Sequence, residues 1–139
     1  ALACRFQSGL KAICVTLRAL WVPGHTQGAT VWITSVSEGG KNYSVAFRGG
    51  EIPNPGVQLI GNPRHPKVIE DTKMTLQRMK ALQPPDLFLH NHRQNLGRPL
   101  NPALPVNPLC VTCMDTEAFK AMVANAEKSF AERVREAEA

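Results

Sequence analysis

The sequence predicts a single α/β domain in which one mixed sheet carries its helices on one face. Three observations lead there. The first third of the chain is rich in β-branched and aromatic runs, and the apolar spacing turns helical after Pro66. A second, longer helical stripe then closes the chain. At 139 residues there is room for one domain with a real core, but not for two.

Ala12 to Val22 reads as a β-rich segment ended by Pro23-Gly24. Ala29 to Val36 reads as a strand, since Val, Trp, Ile and Thr suit a half-buried pleated surface. Ser37-Glu38-Gly39-Gly40-Lys41 supplies a turn, and Asn42 to Phe47 returns as the hairpin partner. Gly49 to Pro66 contains four prolines and four glycines and is expected as an ordered loop. Val68/Ile69, Thr72, Leu76, Met79 and Leu82 share one helical face, with Pro66 suited to the first turn and Pro84-Pro85 as the stop. Asp86 to Leu89 is a short apolar strand. Gln94 to Pro108 is loop, because Pro99, Pro102, Pro105 and Pro108 exclude both a helix and a central strand. The closing helix is expected over about 115–137, capped by Asp115 or Thr116. Its buried stripe is Ala118/Phe119, Met122/Val123, Ala126, Phe130 and Val134. Helices on one face leave the other face of the sheet needing a cover. Trp32, Ile33, Val45 and Phe47 are candidates to line it, with the outward set undecided.

Composition excludes some functions. The net charge of +5 allows weak attraction to anions, but the basic residues are scattered and no cluster is interleaved with aromatics, which argues against nucleic acid. Residues 10–22 are apolar yet too short for a membrane span and contain Lys11 and Arg18, so no membrane role is expected. The four cysteines, Cys4, Cys14, Cys110 and Cys113, allow three pairings and permit an oxidising compartment without requiring one. Cys110-x-x-Cys113 fits packed cysteines, a disulfide or a redox pair. With His90 and His92 it could also form a structural zinc site.

The chemistry rests on four histidines. His25 sits in the turn Val22-Pro23-Gly24-His25-Thr26-Gln27-Gly28, directly after a predicted strand, and His90 and His92 follow the strand ending at Leu89. Strands of one sheet can bring such ends together, and loops mounted on strand ends are where ligands and catalytic groups concentrate. On spacing alone, a loop histidine is more often a surface group or a turn former than a ligand. His65, between Arg64 and Pro66 at a helix entrance, reads as structural.

The motifs add to this. Pro23-Gly24-His25-Thr26-x-Gly28, then Gly61-Asn62-Pro63-Arg64 leading to Ile69-Glu70-Asp71, then Asp86-Leu87-Phe88-Leu89 with His92, resemble in order the C-terminal half of a metallo-β-lactamase-type zinc hydrolase, most like subclass B3. The likeness covers roughly residues 12–95, with weaker support from the closing helix. It implies half of an αββα sandwich, with residues 1–139 forming a single partial domain. It also implies hydrolysis of a β-lactam ring by metal-bound hydroxide, two zinc ions in the complete enzyme, and a small-molecule substrate such as a β-lactam. A periplasmic or secreted location would follow.

Carried over residue by residue, His25 and His92 are metal ligands, one to each zinc. His90 stands where the family has a small residue and is not carried over. The family's main His-x-His-x-Asp-His motif occurs nowhere in this sequence. One imidazole per metal cannot hold zinc, because affinity comes from several preorganised ligands acting together. The chain alone is therefore expected to be inactive, and catalytic residues are not assigned. Glu51, after Arg48-Gly49-Gly50, would disfavour a lactam carboxylate if it faced the substrate. A different class of reading makes the chain a non-catalytic interaction module, or a half-domain that completes its fold by self-association or with an N-terminal half.

Overall fold

In the computed structural model the described residues are 2–5, 13–89 and 116–139. Among them the order is β1 (Leu2–Arg5), β2 (Ile13–Thr16), β3 (Arg18–Trp21), β4 (Thr30–Glu38), β5 (Lys41–Phe47), α1 (Val68–Ala81), β6 (Leu87–Leu89) and α2 (Thr116–Glu138). β1 and β2 form an antiparallel two-stranded sheet in which Cys4 and Cys14 are directly opposed in register. A second sheet has the order β3-β4-β5-β6, antiparallel except for the β5–β6 pair, so it is mixed as expected.

The hairpin between β4 and β5 is set by Gly39 and Gly40, whose φ angles of 58° and 78° lie where only glycine is comfortable. Two consecutive positive φ values give the turn a twist that matches the strands it joins. The parallel β5–β6 pair cannot be closed by a hairpin and needs a crossover. The chain makes it through the 48–67 segment and α1. Leu82, extended at φ −68° and ψ 124°, caps that helix at its C-terminus, and Pro84-Pro85 turn the chain into β6.

Register decides which side chains are buried. Leu20, Val31, Ile33, Ala46 and Phe88 face the helices and pack with Met79, Leu82, Phe119 and Val123. Phe88 and Phe119 meet edge to face at 5.0 Å between ring centroids, joining the sheet to α2. A second cluster, Leu59, Val68, Leu76, Phe130 and Val134, fastens α1, α2 and the 48–67 segment together. The alternate residues point to the helix-free face. There Trp32, Val36 and Phe47 are 41%, 43% and 42% exposed, an apolar surface that no helix covers among the described residues.

The structure corrects one expectation, adds a strand and settles which alternate set faces outward. Ala12–Val22 is not one strand: it divides at Leu17 into β2 and β3, which pair in different sheets. Leu2–Arg5 forms a strand that no alternating pattern announced. Ile33 belongs to the core, because in register it opposes Ala46 on the helix side, whereas Trp32, Val45 and Phe47 share the other face. The closing helix runs Thr116–Glu138, within a residue of the expected span at either end, and its stripe buries Phe119, Val123, Phe130 and Val134. Asp115 and the expected loop from Gln94 to Pro108 lie outside the described residues.

β6 is anchored at its start by Asp86. Its Oδ2 accepts from the Ser44 backbone N–H at 2.7 Å and from the Ser44 hydroxyl at 2.9 Å. The backbone donor first, then the hydroxyl, hold the Asp86 carboxyl below its ordinary pKa. A lowered folded-state pKa contributes stability that is fully present above the unfolded value of about 3.9 and is lost as pH falls through the folded value. Asp86→Asn should therefore destabilise the chain near neutral pH. Its deficit relative to the parent, measured as a urea midpoint, should shrink on acidification to about pH 3.

Candidate functional site

β3, β5 and β6 all run in one direction, since β4 alone opposes its neighbours. Their C-terminal ends therefore open at one edge of the sheet. From that edge emerge the Pro23-Gly24-His25 turn and the Arg48-Gly49-Gly50-Glu51 segment, and β6 ends there at Leu89. β3 and β6 are three strand spacings apart, about 14 Å at ~4.8 Å each. The residues after Leu89 include His90 and His92, which lie outside the described residues, as do Cys110 and Cys113.

His25 is built into its position. Val22, Pro23 and Gly24 are buried, and the turn is closed by the Val22 N–H donating to the Ala29 carbonyl at 2.8 Å and the Ala29 N–H to Thr26 at 3.0 Å. The Trp21 indole N–H donates to the Gln27 carbonyl at 2.7 Å, and Arg78 stacks on that indole while donating to the Trp21 carbonyl at 2.7 Å. Beneath the turn lies α1. The Gly24 N–H donates 2.8 Å to the Thr75 hydroxyl, and Thr72, fully buried, lies against the same glycine. A Cβ on Gly24 would sit 2.3 Å from the Glu51 carbonyl oxygen and 3.1 Å from the Thr72 Cα, so no other residue fits.

The 49–53 segment covers the ring from above. Gly50, at φ +84°, lies so close that a Cβ there would come within 2.7 Å of the His25 Cγ. A Cβ on Gly49 would come within 2.3 Å of the Thr30 carbonyl. The Ile52 carbonyl sits 2.9 Å from His25 Nδ1. A carbonyl can only accept, so Nδ1 carries a proton, and in the neutral ring Nε2 keeps the lone pair. An imidazole held in this way by an outer-shell acceptor is oriented to bind a metal through its other nitrogen. His25 itself is half-buried, so the ring is not sealed from solvent.

His65 is placed otherwise. It is buried, with Nε2 2.7 Å from Asp71 Oδ2, and its N–H and that of Arg64 both donate to the Asn62 side chain at 3.0 and 2.9 Å. The Gly61-Asn62-Pro63-Arg64-His65 run is thus a hydrogen-bonded approach to α1, in keeping with the structural reading of that histidine. Glu51 does not face a substrate. Its side chain is only 3% exposed and pairs through Oε2 with the Arg48 guanidinium, while Oε1 is buried with no hydrogen-bond partner among the described residues.

His25 fits one metal ligand. Among the described residues no group of three or more His, Cys, Asp or Glu side chains could hold an ion. The parts that sequence reasoning missed are Thr75, Gly50 and the Ile52 carbonyl. Thr75, three residues after Thr72 on an otherwise apolar stripe, was the one available signal.

Solved structures share this architecture. A metallo-β-lactamase from Legionella gormanii, FEZ-1, superposes with a TM-score of 0.72 at 25% identity, over 98% of this chain and 50% of its own. BJP-1, a subclass B3 enzyme of Bradyrhizobium japonicum, gives 0.71 at 21% identity over 89% and 46%. GOB-18 of Elizabethkingia meningoseptica gives 0.68 at 22% over 88% and 45%. The chain carries the fold of a metallo-β-lactamase's C-terminal half. It spans about half the length of the metallo-β-lactamase structures it matches. No protein-family model matches the sequence.

Thr75→Val keeps the shape of the side chain but removes the acceptor for a buried N–H. It should lower the unfolding free energy by about 1–3 kcal/mol, read from urea midpoints.

Proposed function

We propose that this chain is the C-terminal portion of a zinc-dependent hydrolase of the metallo-β-lactamase type, forming one partial domain over 1–139. In this reading His25 and His92 each give one ligand to a separate zinc ion. The observation that carries it is the Nδ1 contact with Ile52, which leaves Nε2 as the ring's ligand atom, on a turn that follows the C-terminal end of β3. When bound, zinc supplies Lewis acidity and lowers the pKa of water enough to give a nucleophile at neutral pH.

The α1 threonines seat the turn, the 49–53 segment fixes the ring and its tautomer, and Arg48 neutralises Glu51, so that no free carboxylate faces the opening from that position. Glu51 therefore gives no reason against a β-lactam, and such small molecules are the proposed substrate class. The remaining ligands would come from a His-x-His-x-Asp-His segment that this sequence does not contain. The 139-residue chain supplied with zinc should accordingly give no turnover of a chromogenic cephalosporin. Hydrolysis that both a chelator and His25→Ala abolish would overturn the incomplete-site reading.

A second reading is favoured by the helix-free face of the sheet, which presents Trp32, Val36 and Phe47 to solvent among the described residues. Apolar area of this kind drives association. It supports a half-domain that is covered by a second copy or by a complementing N-terminal half, with or without catalysis. Light scattering behind size exclusion should find species heavier than the 15.2 kDa monomer, and Phe47→Lys should shift them toward it. A monodisperse parent monomer would sink this reading.

A further inference from the structure

We propose that Glu51 is a positioning residue for His25. Its buried carboxylate, held by Arg48, fixes the 49–53 segment so that the Ile52 carbonyl sets the tautomer of the ring.

The segment has no strand or helix ladder of its own, so other contacts must hold it. At one end Arg48 clasps Glu51 Oε2. At the other, Arg133 from α2 donates to the Pro53 carbonyl at 2.6 Å and to the Asn54 carbonyl at 3.0 Å. Between these two arginine ties lie the three contacts that define the His25 environment: Gly50 against the ring, the Glu51 carbonyl against Gly24, and the Ile52 carbonyl on Nδ1. Glu51 is adjacent to the residue that supplies the acceptor. A shift of the Ile52 oxygen by about 1 Å would carry a 2.9 Å contact beyond hydrogen-bond range.

The carboxylate is an expensive way to fill this space. One oxygen has no partner among the described residues, and a buried, half-satisfied charge is disfavoured relative to an apolar side chain of similar size. Packing alone would not call for it. A fixed partner for Arg48 does, because the charge-assisted bond from its guanidinium to Glu51 Oε2 ties the start of the segment to its middle.

The inference deepens the reading of His25 as a metal ligand and rests on it, but it is tested without metal. In the histidine-labelled 139-residue chain, long-range proton–nitrogen correlation at about pH 8, where imidazole is neutral, reports the tautomer of each ring. His25→Gln assigns the signal. The parent should show a single His25 tautomer with its proton on Nδ1. Glu51→Ala and Arg48→Met should each convert it to an averaged mixture, whereas Glu51→Gln, which still accepts from Arg48, should retain it. A parent already averaged or protonated on Nε2 overturns the proposal with no variant needed. Survival of the Nδ1–H species in folded Glu51→Ala or Arg48→Met does the same. A failed zinc assay would leave this measurement intact, and loss of the tautomer link would not remove His25 as a ligand.

Discussion

The structure turns on the close approach of one glycine. Gly24 lies with its amide on the Thr75 hydroxyl and its Cα against the Glu51 carbonyl, leaving no space for a side chain. Three elements far apart in sequence are thereby locked to one another: the turn after β3, the middle of α1 and the segment after β5. Any of them that moves takes His25 with it. The hydroxyl is needed because a turn this deeply buried would otherwise leave an amide without an acceptor, a cost comparable to losing a full hydrogen bond.

The sheet explains why those elements meet. Parallel pairing of β5 with β6 requires a crossover, and the crossover is α1. The same helix that satisfies the topology also forms the seat of the His25 turn, so the phase of its stripe matters at two levels. Val68, Leu76 and Met79 bury apolar area, while Thr72 and Thr75, on the same buried side, reach the turn. Because β3 and β5 run the same way, the segments that follow them share one edge, at which β6 also ends. The price of placing both helices on one face is the apolar surface left on the other.

The sequence made the periodic parts of this fold legible and the reciprocal parts obscure. Both helices could be read from spacing, α1 also from its flanking prolines, and the hairpin from Gly39-Gly40, because these signals are local. The division at Leu17 could not be read, since a change of partner sheet leaves no mark on a continuous β-rich run. Ile33 was grouped with Trp32 for a related reason: alternation says that neighbours oppose each other, but only register with Ala46 says which one meets the helices. At the site, the Pro-Gly-His turn was evident from its residues. Its outer shell was not, because the decisive acceptor is the carbonyl of Ile52, and a backbone oxygen has no letter in the sequence. Glu51 misled for the opposite reason: its letter suggests an exposed charge, and only the fold reveals Arg48 beside it.

These features separate two requirements of a metal site that usually travel together. Affinity needs several donor atoms converging on one ion, and the described part of the chain offers no such convergence. Orientation needs each donor held in one tautomer and direction, and in the proposed reading of His25 as a ligand that support comes from within the chain, from Ile52, Gly50 and the threonines of α1. A lone surface histidine would have no need of such support. Its ring would be free to turn, and either nitrogen could carry the proton. Around His25 the Ile52 carbonyl and the close approach of Gly50 remove that freedom with groups of this chain alone.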